Sequence, residues 1–332
     1  MYDFKDFIGN IHIVDALKAA IKTGTPSHAY IISGESGLGK KYIANTFAKG
    51  LLCESENAPC GVCVSCRTFE SLNNPDVFYI RPENKTVSGS IGIDEIREKV
   101  IKNIEIKQFK YKYKIFIIEK ADKMTEKAQN AFLKTLEDPP EYAVFLLLCE
   151  NINTLLPTVV SRCVIMKLLP LPFGDILSYL TDRQNISPET ARLCAAYSGG
   201  SLGKAINAAG SESFMLMRSE IIDFLFDIKN MSSSALLLKA KEFEKYKLQK
   251  DFFDIIYMFY RDMLVLKTTN NDERLSSPDI MDKLKAFLSF ASEKQLLLCL
   301  EAVFDAKKLV KNNSDFLLTT EVLLIKLKES LK

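Results

Sequence analysis

A glycine-rich turn between an apolar run and a helical pattern restricts the possible folds of this chain more than any other feature. Residues 29–32 (Ala-Tyr-Ile-Ile) have the character of a buried strand, and Gly34, Gly37, Gly39 and Lys40 follow in the spacing Gly-x4-Gly-Lys. In a turn of this kind the backbone N–H groups point at an anion, and the lysine reaches the terminal phosphates of a nucleotide. The pattern predicts a phosphate-binding loop between a strand and a helix.

Two positions depart from a working nucleotide site. Position 41, where a Ser or Thr hydroxyl normally binds Mg²⁺, is Lys41. The apolar run 114–118 ends in Glu119-Lys120, where an ATPase needs carboxylates to hold Mg²⁺ and to activate water. Glu119 keeps a carboxylate, but the ammonium group of Lys120 has no lone pair that could accept a proton. The sequence therefore predicts a vestigial nucleotide site and leaves ATP or ADP binding open.

Four cysteines within fourteen positions form the second motif, with the spacing Cys53-x6-Cys60-x2-Cys63-x2-Cys66. Thiolates at such spacing can converge on one zinc ion at about 2.3 Å. The alternative is four unrelated buried thiols, but buried cysteines rarely cluster around Gly and Pro. Because all four ligands come from the protein, we expect a structural rather than a catalytic zinc.

Composition places the chain among ordinary globular proteins. Its 332 residues are enough for two or three domains, and 47% are hydrophobic and 26% charged. The net charge of +2 argues against nucleic-acid binding by bulk charge. No signal pattern or apolar run of about 20 residues is present, so we expect a cytoplasmic protein with reduced cysteines.

Strand patterns alternate with helical patterns only in the first half of the chain. This alternation behind a phosphate loop predicts a doubly wound α/β domain over residues 1–168, with an insert at about 53–66. Prolines at 170 and 172 begin a small helical unit, 169–210, and residues 211–332 are helical throughout. We expect Asp94 to cap a helix at 95–104 and Ser292 to open a capping box with Gln295. The strands are expected at 29–32, 77–81, 114–119, 143–149 and 163–168, and the last three are expected to be buried. The C-terminal helices are expected at 214–228, 235–246, 252–266, 280–290, 295–310 and 316–331.

Three stretches and the cysteine motif together resemble clamp-loader subunits of the AAA+ class, the family that serves bacterial DNA polymerase III. The stretches are 28–40, 130–140 (Asn-Ala-Phe-Leu-Lys-Thr-Leu-Glu-Asp-Pro-Pro) and 156–163 (Leu-Pro-Thr-Val-Val-Ser-Arg-Cys). The likeness is specific over residues 1 to about 210 and general beyond. It implies an AAA+ domain with a zinc insert, a helical lid and a C-terminal helical collar.

The resemblance also implies a role for Arg162, the arginine of Ser-Arg-Cys. In the family this arginine is a trans-acting finger that reaches the ATP site of a neighbouring subunit; the alternative is a surface arginine in an ion pair. The family's second arginine, in a Gly-Ser-x-Arg pattern, is Gly203 here. Changes at Lys41, Lys120 and Gly203 all disfavour hydrolysis by this chain itself, whereas Arg162 would serve another chain.

The resemblance therefore implies a non-hydrolysing stator that is a component of the DNA polymerase III holoenzyme without an activity of its own. Its partners would be the gamma/tau ATPase subunits and delta, with the sliding clamp and primer-template DNA reached through the assembly and no membrane involved. One alternative is a motor subunit that hydrolyses ATP, which Lys40 and the intact glycines favour. Another is a zinc module that binds nucleic acid, which Glu54, Glu56 and the single nearby base Arg67 disfavour.

Overall fold

The computed structural model describes residues 2–82, 89–247, 251–269, 275–288 and 291–331. The chain forms two compact units. The first runs to Asp175 and also contains Ser201–Gly203, and the second contains Ile176–Gly200 and the chain from Lys204 onward. The finer division of the second half into a lid (169–210) and a collar (211–332) remains a prediction.

The first unit alternates strands and helices, as the sequence indicates. Its elements are α1 (Ile11–Thr23), β1 (Ala29–Ser33), α2 (Lys40–Leu51), α3 (Val64–Glu70), β2 (Val77–Ile80), α4 (Ile93–Ile96), a π-helical turn (Arg97–Ile101), α5 (Lys102–Ile104), β3 (Lys114–Glu119), α6 (Glu126–Glu137), β4 (Ala143–Cys149), α7 (Pro157–Val160), β5 (Val164–Lys167) and α8 (Phe173–Ser178, whose last three residues belong to the second unit).

The five strands form one parallel sheet in the order β2-β3-β4-β1-β5. One face packs against α1 and α2 through residues such as Leu17 and Phe47. The other packs against α6 and α7 through Phe132 and Val159. Covering both faces explains why the central strands are continuous apolar runs, and it confirms the doubly wound α/β class. The carboxyl ends of β1, β3 and β4 therefore meet at the edge of the sheet where the glycine-rich loop begins.

Two local predictions are wrong. The stretch 163–168 was expected to be a buried strand, but Val164 and Ile165 of β5 are 42% and 50% exposed because β5 lies at the edge of the sheet. Asp94 does not cap the following helix, which begins two residues earlier than expected, at Ile93, with Gly92 as its N-cap. The Glu95 carboxylate accepts the Gly92 N–H at 2.9 Å, so a residue inside the first turn satisfies the N-cap backbone.

The second unit contains helices and connecting turns but no strand among its described residues. Its helices follow the predicted stripes, and the capping box is confirmed: Ser292 Oγ accepts the Gln295 N–H, and Gln295 Oε1 accepts the Ser292 N–H. The stripe predicted to end at 290 reaches positions 289 and 290, which lie outside the described residues. No helix in the described ranges combines the length and apolarity needed to cross a bilayer. The helices are α9 (Pro188–Tyr197), α10 (Leu202–Ala209, whose first two residues belong to the first unit), α11 (Glu212–Asp227), α12 (Ser233–Phe243), α13 (Phe252–Thr269), α14 (Met281–Phe287), α15 (Glu293–Lys311) and α16 (Phe316–Ser330).

Candidate functional site

The glycine-rich loop connects the end of β1 to the first turn of α2. Gly34, Gly37 and Gly39 have φ values of +150°, +81° and +90°, a region that side chains rarely adopt. A Cβ at Gly39 would also lie 2.9 Å from the ring of Phe7. Glycine is therefore required at these positions by backbone geometry, and the strand, turn and helix occur where the sequence predicts them.

Four consecutive carbonyl groups of this loop accept hydrogen bonds. The ammonium group of Lys40 donates to Gly34 O at 2.5 Å and to Glu35 O at 2.7 Å. The next two carbonyls, of Ser36 and Gly37, accept from Ser201 Oγ at 3.1 Å and from the Gly203 backbone N–H at 2.9 Å. The loop is thus held by its own lysine and by a segment about 165 residues further along the chain.

Gly203 approaches the loop too closely for a side chain. A Cβ at this position would lie 2.9 Å from Gly37 O and 3.1 Å from Gly37 Cα, and both are backbone atoms. From the resemblance, we expected an arginine at position 203, where the sequence has glycine. The structure adds that the backbone of residue 203 itself occupies the place next to the loop.

Lys41 forms an ion pair with Glu119, the carboxylate at the end of β3. Lys41 Nζ lies 3.0 Å from Glu119 Oε1, and Arg81 Nε lies 2.9 Å from the same oxygen. The side chain of Glu119 is only 18% exposed, so solvent screens this cluster incompletely. Two cations therefore neutralise the carboxylate that a nucleotide site would use for Mg²⁺.

Sequence reasoning missed Arg81. It follows β2, whose Ile80 pairs in parallel with Ile118 of β3, and so the next residues, Arg81 and Glu119, lie at the same edge. The available signal was the equal position of Arg81 and Glu119 relative to their strands. This signal could predict the ion pair only if the sheet order, in which β2 lies next to β3, were already known.

The glycine-rich loop, Lys41 and Glu119 line a cleft of about 420 Å³. Besides the loop, Lys41 and Glu119, its walls include Lys120, Asp122, Glu150 and Gly203. Lys120 has a left-handed backbone, with φ of +55°. Burial lowers the pKa of Lys40 from its usual value, and the negative charge of Glu150, Asp122 and Glu35 opposes that change. Among the described residues that line the cleft, Arg162 is absent.

The four cysteines come together, as their spacing predicts. Their Sγ atoms all lie within 4.8 Å of one another, and the Cys53–Cys63 and Cys60–Cys66 separations are both 4.0 Å. A tetrahedral zinc site with Zn–S bonds of about 2.3 Å has S–S edges of about 3.8 Å. Backbone N–H groups from Cys63 and Val62 lower the pKa of Cys60 to about 6, whereas burial raises the pKa values of Cys53 and Cys66. The cluster could therefore bind a metal ion.

Arg162 lies just after α7 and makes contacts at two of its nitrogens. Nη1 donates to Thr158 O at 2.8 Å and to Ser161 Oγ at 3.3 Å, and Nη2 donates to Glu137 Oε1 at 2.9 Å. The side chain is 34% exposed. The ion pair that we raised as the alternative for Arg162 is therefore present, and its partner is the last residue of α6.

Comparison with known proteins finds similarity to subunits of DNA polymerase III. A family model described as DNA polymerase III, delta subunit, matches residues 9–172. The chain is 28% identical over 322 residues to DNA polymerase III subunit delta' of Bacillus subtilis, covering 96% of this chain and 95% of that protein. It is 32% identical over 211 residues to subunit tau of Escherichia coli, covering 61% of this chain but only 32% of tau. Among solved structures, a DNA polymerase III gamma subunit-related protein from Thermotoga maritima aligns over 96% of this chain and 99% of its own, with 20% identity and a TM-score of 0.45.

Proposed function

Because this chain belongs to the clamp-loader family of DNA polymerase III subunits, we propose that it is the stator of a clamp loader, a delta-prime subunit that does not hydrolyse ATP. It would support ATP-driven loading of a sliding clamp onto primed DNA. Its partners would be gamma/tau ATPase subunits and delta, and it would meet the clamp and DNA through that assembly. The near full-length match to subunit delta' favours this role over that of tau, of which the chain spans about a third.

The ion cluster at Glu119 carries the proposal that this chain does not hydrolyse ATP. A Mg²⁺ ion beside the phosphate loop needs oxygen ligands, but Lys41 replaces the hydroxyl and also pairs with Glu119. Arg81 takes the same carboxylate oxygen. A metal ion would have to displace two cations, and Lys120 offers no base for water. The main rival is a motor subunit. It would need a hydroxyl at position 41, a carboxylate free to hold Mg²⁺ and a base that can activate water.

Arg162 would act on a neighbouring subunit. Phosphoryl transfer spreads negative charge over the γ-oxygens, and a guanidinium supplied in trans can accelerate it by about 10³–10⁵. The orientation of the Arg162 guanidinium by α6 and α7 supports such a use. In an AAA+ ring the first unit would provide this arginine, while the helices beyond residue 211 would form the collar that holds the subunits together.

We assign the cysteine cluster to one structural zinc ion. All four ligands would be thiolates of Cys53, Cys60, Cys63 and Cys66, which leaves no open position for catalysis. The separation of the sulfur atoms suits zinc, and the hydrogen bonds from Cys60, Cys63 and Cys66 N–H to neighbouring sulfurs stabilise thiolates. Bound zinc would fold the insert between α2 and α3.

Replacement of Arg162 in a reconstituted complex tests the trans-acting role. Arg162→Ala should leave assembly intact on gel filtration but lower ATP turnover stimulated by DNA and clamp, and slow clamp loading. The loss should be partial because only one of several ATP sites would lose its finger. Arg162→Lys should not restore turnover, since an ammonium group cannot form the bidentate contact of a guanidinium.

The matched control is Arg183→Ala, which removes an exposed guanidinium from the second unit. It should leave turnover unchanged. If the complex with Arg162→Ala turns over ATP and loads clamps as the wild type does, Arg162 is only an ion-pair residue and the trans-acting role is wrong.

A further inference from the structure

The guanidinium of Arg162 is fixed by acceptors from two different helices. Thr158 O and Ser161 Oγ belong to α7 and the turn after it, and both contact Nη1. Contacts at one nitrogen leave the plane of the guanidinium free to turn. The contact between Nη2 and Glu137 Oε1 adds the second point that sets the plane.

Glu137 is itself held in place relative to Arg162. It is the last residue of α6, which ends at Asp138-Pro139-Pro140. The buried side chain of Gln129, in the first turn of α6, accepts the Leu156 N–H at 2.7 Å and donates to Thr154 O at 3.2 Å. Leu156 is the N-cap of α7. These bonds tie the first turn of α6 to the start of α7. Leu136, next to Glu137, and Val159 of α7 are buried in the same apolar cluster, which limits the movement of Glu137 relative to Arg162.

The arrangement leaves the arginine able to bind a further acceptor. A guanidinium has five N–H groups in a planar fork, and the three acceptors described here do not use all of them. A phosphoryl oxygen could therefore be bound while the contact with Glu137 persists. The pair is also partly exposed, at 34% for Arg162 and 51% for Glu137, so it costs little desolvation.

We propose that Glu137 is a positioning residue that orients the Arg162 guanidinium for phosphate contact. The inference rests on the proposed trans-acting role of Arg162. Glu137 acts through Arg162 and touches no reacting atom. Since exposed ion pairs have small coupling energies, its loss should lower turnover at the affected ATP site by up to about fivefold, less than the loss of the arginine itself.

Two substitutions at Glu137 separate orientation from charge. Glu137→Ala removes the acceptor, and it should lower the kcat of the reconstituted, DNA- and clamp-stimulated ATPase while leaving the KM for ATP unchanged. Glu137→Gln keeps an Oε1 that can accept from Nη2, so it should retain most of the wild-type kcat. Glu141→Ala, which removes an exposed carboxylate four positions later, is the matched control and should have no effect. Gel filtration establishes equal assembly for every variant.

The double variant Glu137→Ala/Arg162→Ala decides whether the two residues act together. It should turn over ATP no more slowly than Arg162→Ala alone, because Glu137 has nothing left to orient. Additive losses, a kcat for Glu137→Ala equal to or above wild type, or an equal loss in Glu137→Gln would each overturn the inference. If Arg162→Ala lowers turnover and Glu137→Ala does not, only the role of Glu137 is wrong; if Arg162→Ala has no effect, the proposed function of Arg162 is wrong as well.

Discussion

Replacing Gly203 by alanine should destabilise the protein, although alanine normally stabilises a helix. Gly203 is the second residue of α10 and has no left-handed backbone, so its φ does not itself exclude a side chain. In a helix, Gly→Ala gains about 1 kcal/mol from lower backbone entropy in the unfolded state. Here the added Cβ would lie 2.9 Å from Gly37 O, closer than carbon atoms normally approach a carbonyl.

Gly174 provides a matched control. It is also the second residue of a helix, α8, but a Cβ there meets no heavy atom within 4 Å. The entropy gain should therefore be similar in Gly203→Ala and Gly174→Ala and cancel between them. What remains is the cost of overpacking against rigid backbone, about 1–3 kcal/mol, together with about 0.5–1.5 kcal/mol if the Gly203 N–H bond to Gly37 is lost.

Urea titrations followed by circular dichroism measure this difference. We expect the unfolding midpoint of Gly174→Ala at or above that of wild type, and that of Gly203→Ala clearly below both. Equal midpoints for the two variants would refute the reasoning, because they would show that residue 203 is not pressed against the phosphate loop. The expected result also means that Gly203→Arg cannot restore the family's second arginine without displacing the segment.

The remaining predictions concern the metal, pH and the nucleotide cleft. Metal analysis should find one zinc per chain, and Cys63→Ser should release it and destabilise the insert while the helical content of the C-terminal unit stays unchanged; native protein without zinc would contradict this. Burial alone would raise the pKa of Glu220, but hydrogen bonds from two lysines and a tyrosine outweigh it and hold the pKa at about 2. Glu220 therefore stabilises the fold above the unfolded value of about 4.3, and this stabilisation is lost as the pH falls towards 2. The deficit in unfolding free energy of Glu220→Gln should accordingly be full at pH 7 and shrink steadily below pH 4, and a deficit that does not change with pH would contradict the assignment. Lys41→Thr should not create an ATPase, because Arg81 still pairs with Glu119 and Lys120 remains; turnover at the rate of a motor subunit would show that Lys120 matters less than we infer.

Most of the fold could be predicted from local sequence patterns. The apolar runs that became β1, β3 and β4, and the stripes that became α11 to α16, depend on neighbours in sequence and could be read directly. The exposure of β5 could not be predicted in this way, because an apolar run does not reveal whether its strand lies at the centre or the edge of a sheet. The cap at Gly92 was missed because glycine carries no side-chain acceptor, and the bond came from Glu95 instead.

Only those parts of the candidate site whose residues lie close together in sequence could be predicted. The glycines, Lys40 and the cysteines lie close together in sequence, so their spacing fixed their geometry. The pairing of Lys41 and Arg81 with Glu119 depends on the order of β2 and β3 in the sheet. The contacts of Ser201 and Gly203 with the loop join residues about 165 positions apart, and a substitution pattern could identify Gly203 as unusual but not where its backbone lies.

The Mg²⁺ dependence of nucleotide binding by the isolated chain tests most directly whether this chain is a stator. Affinities for ATP and ADP would be measured by titration calorimetry with Mg²⁺ and with a chelator, and ATP turnover would be followed in the same samples. Because Lys41 and Arg81 occupy the carboxylate of Glu119, Mg²⁺ should not strengthen nucleotide binding, and no turnover should occur. Tighter binding of Mg²⁺-ATP by tenfold or more, accompanied by hydrolysis, would contradict the account and identify the chain as a motor subunit.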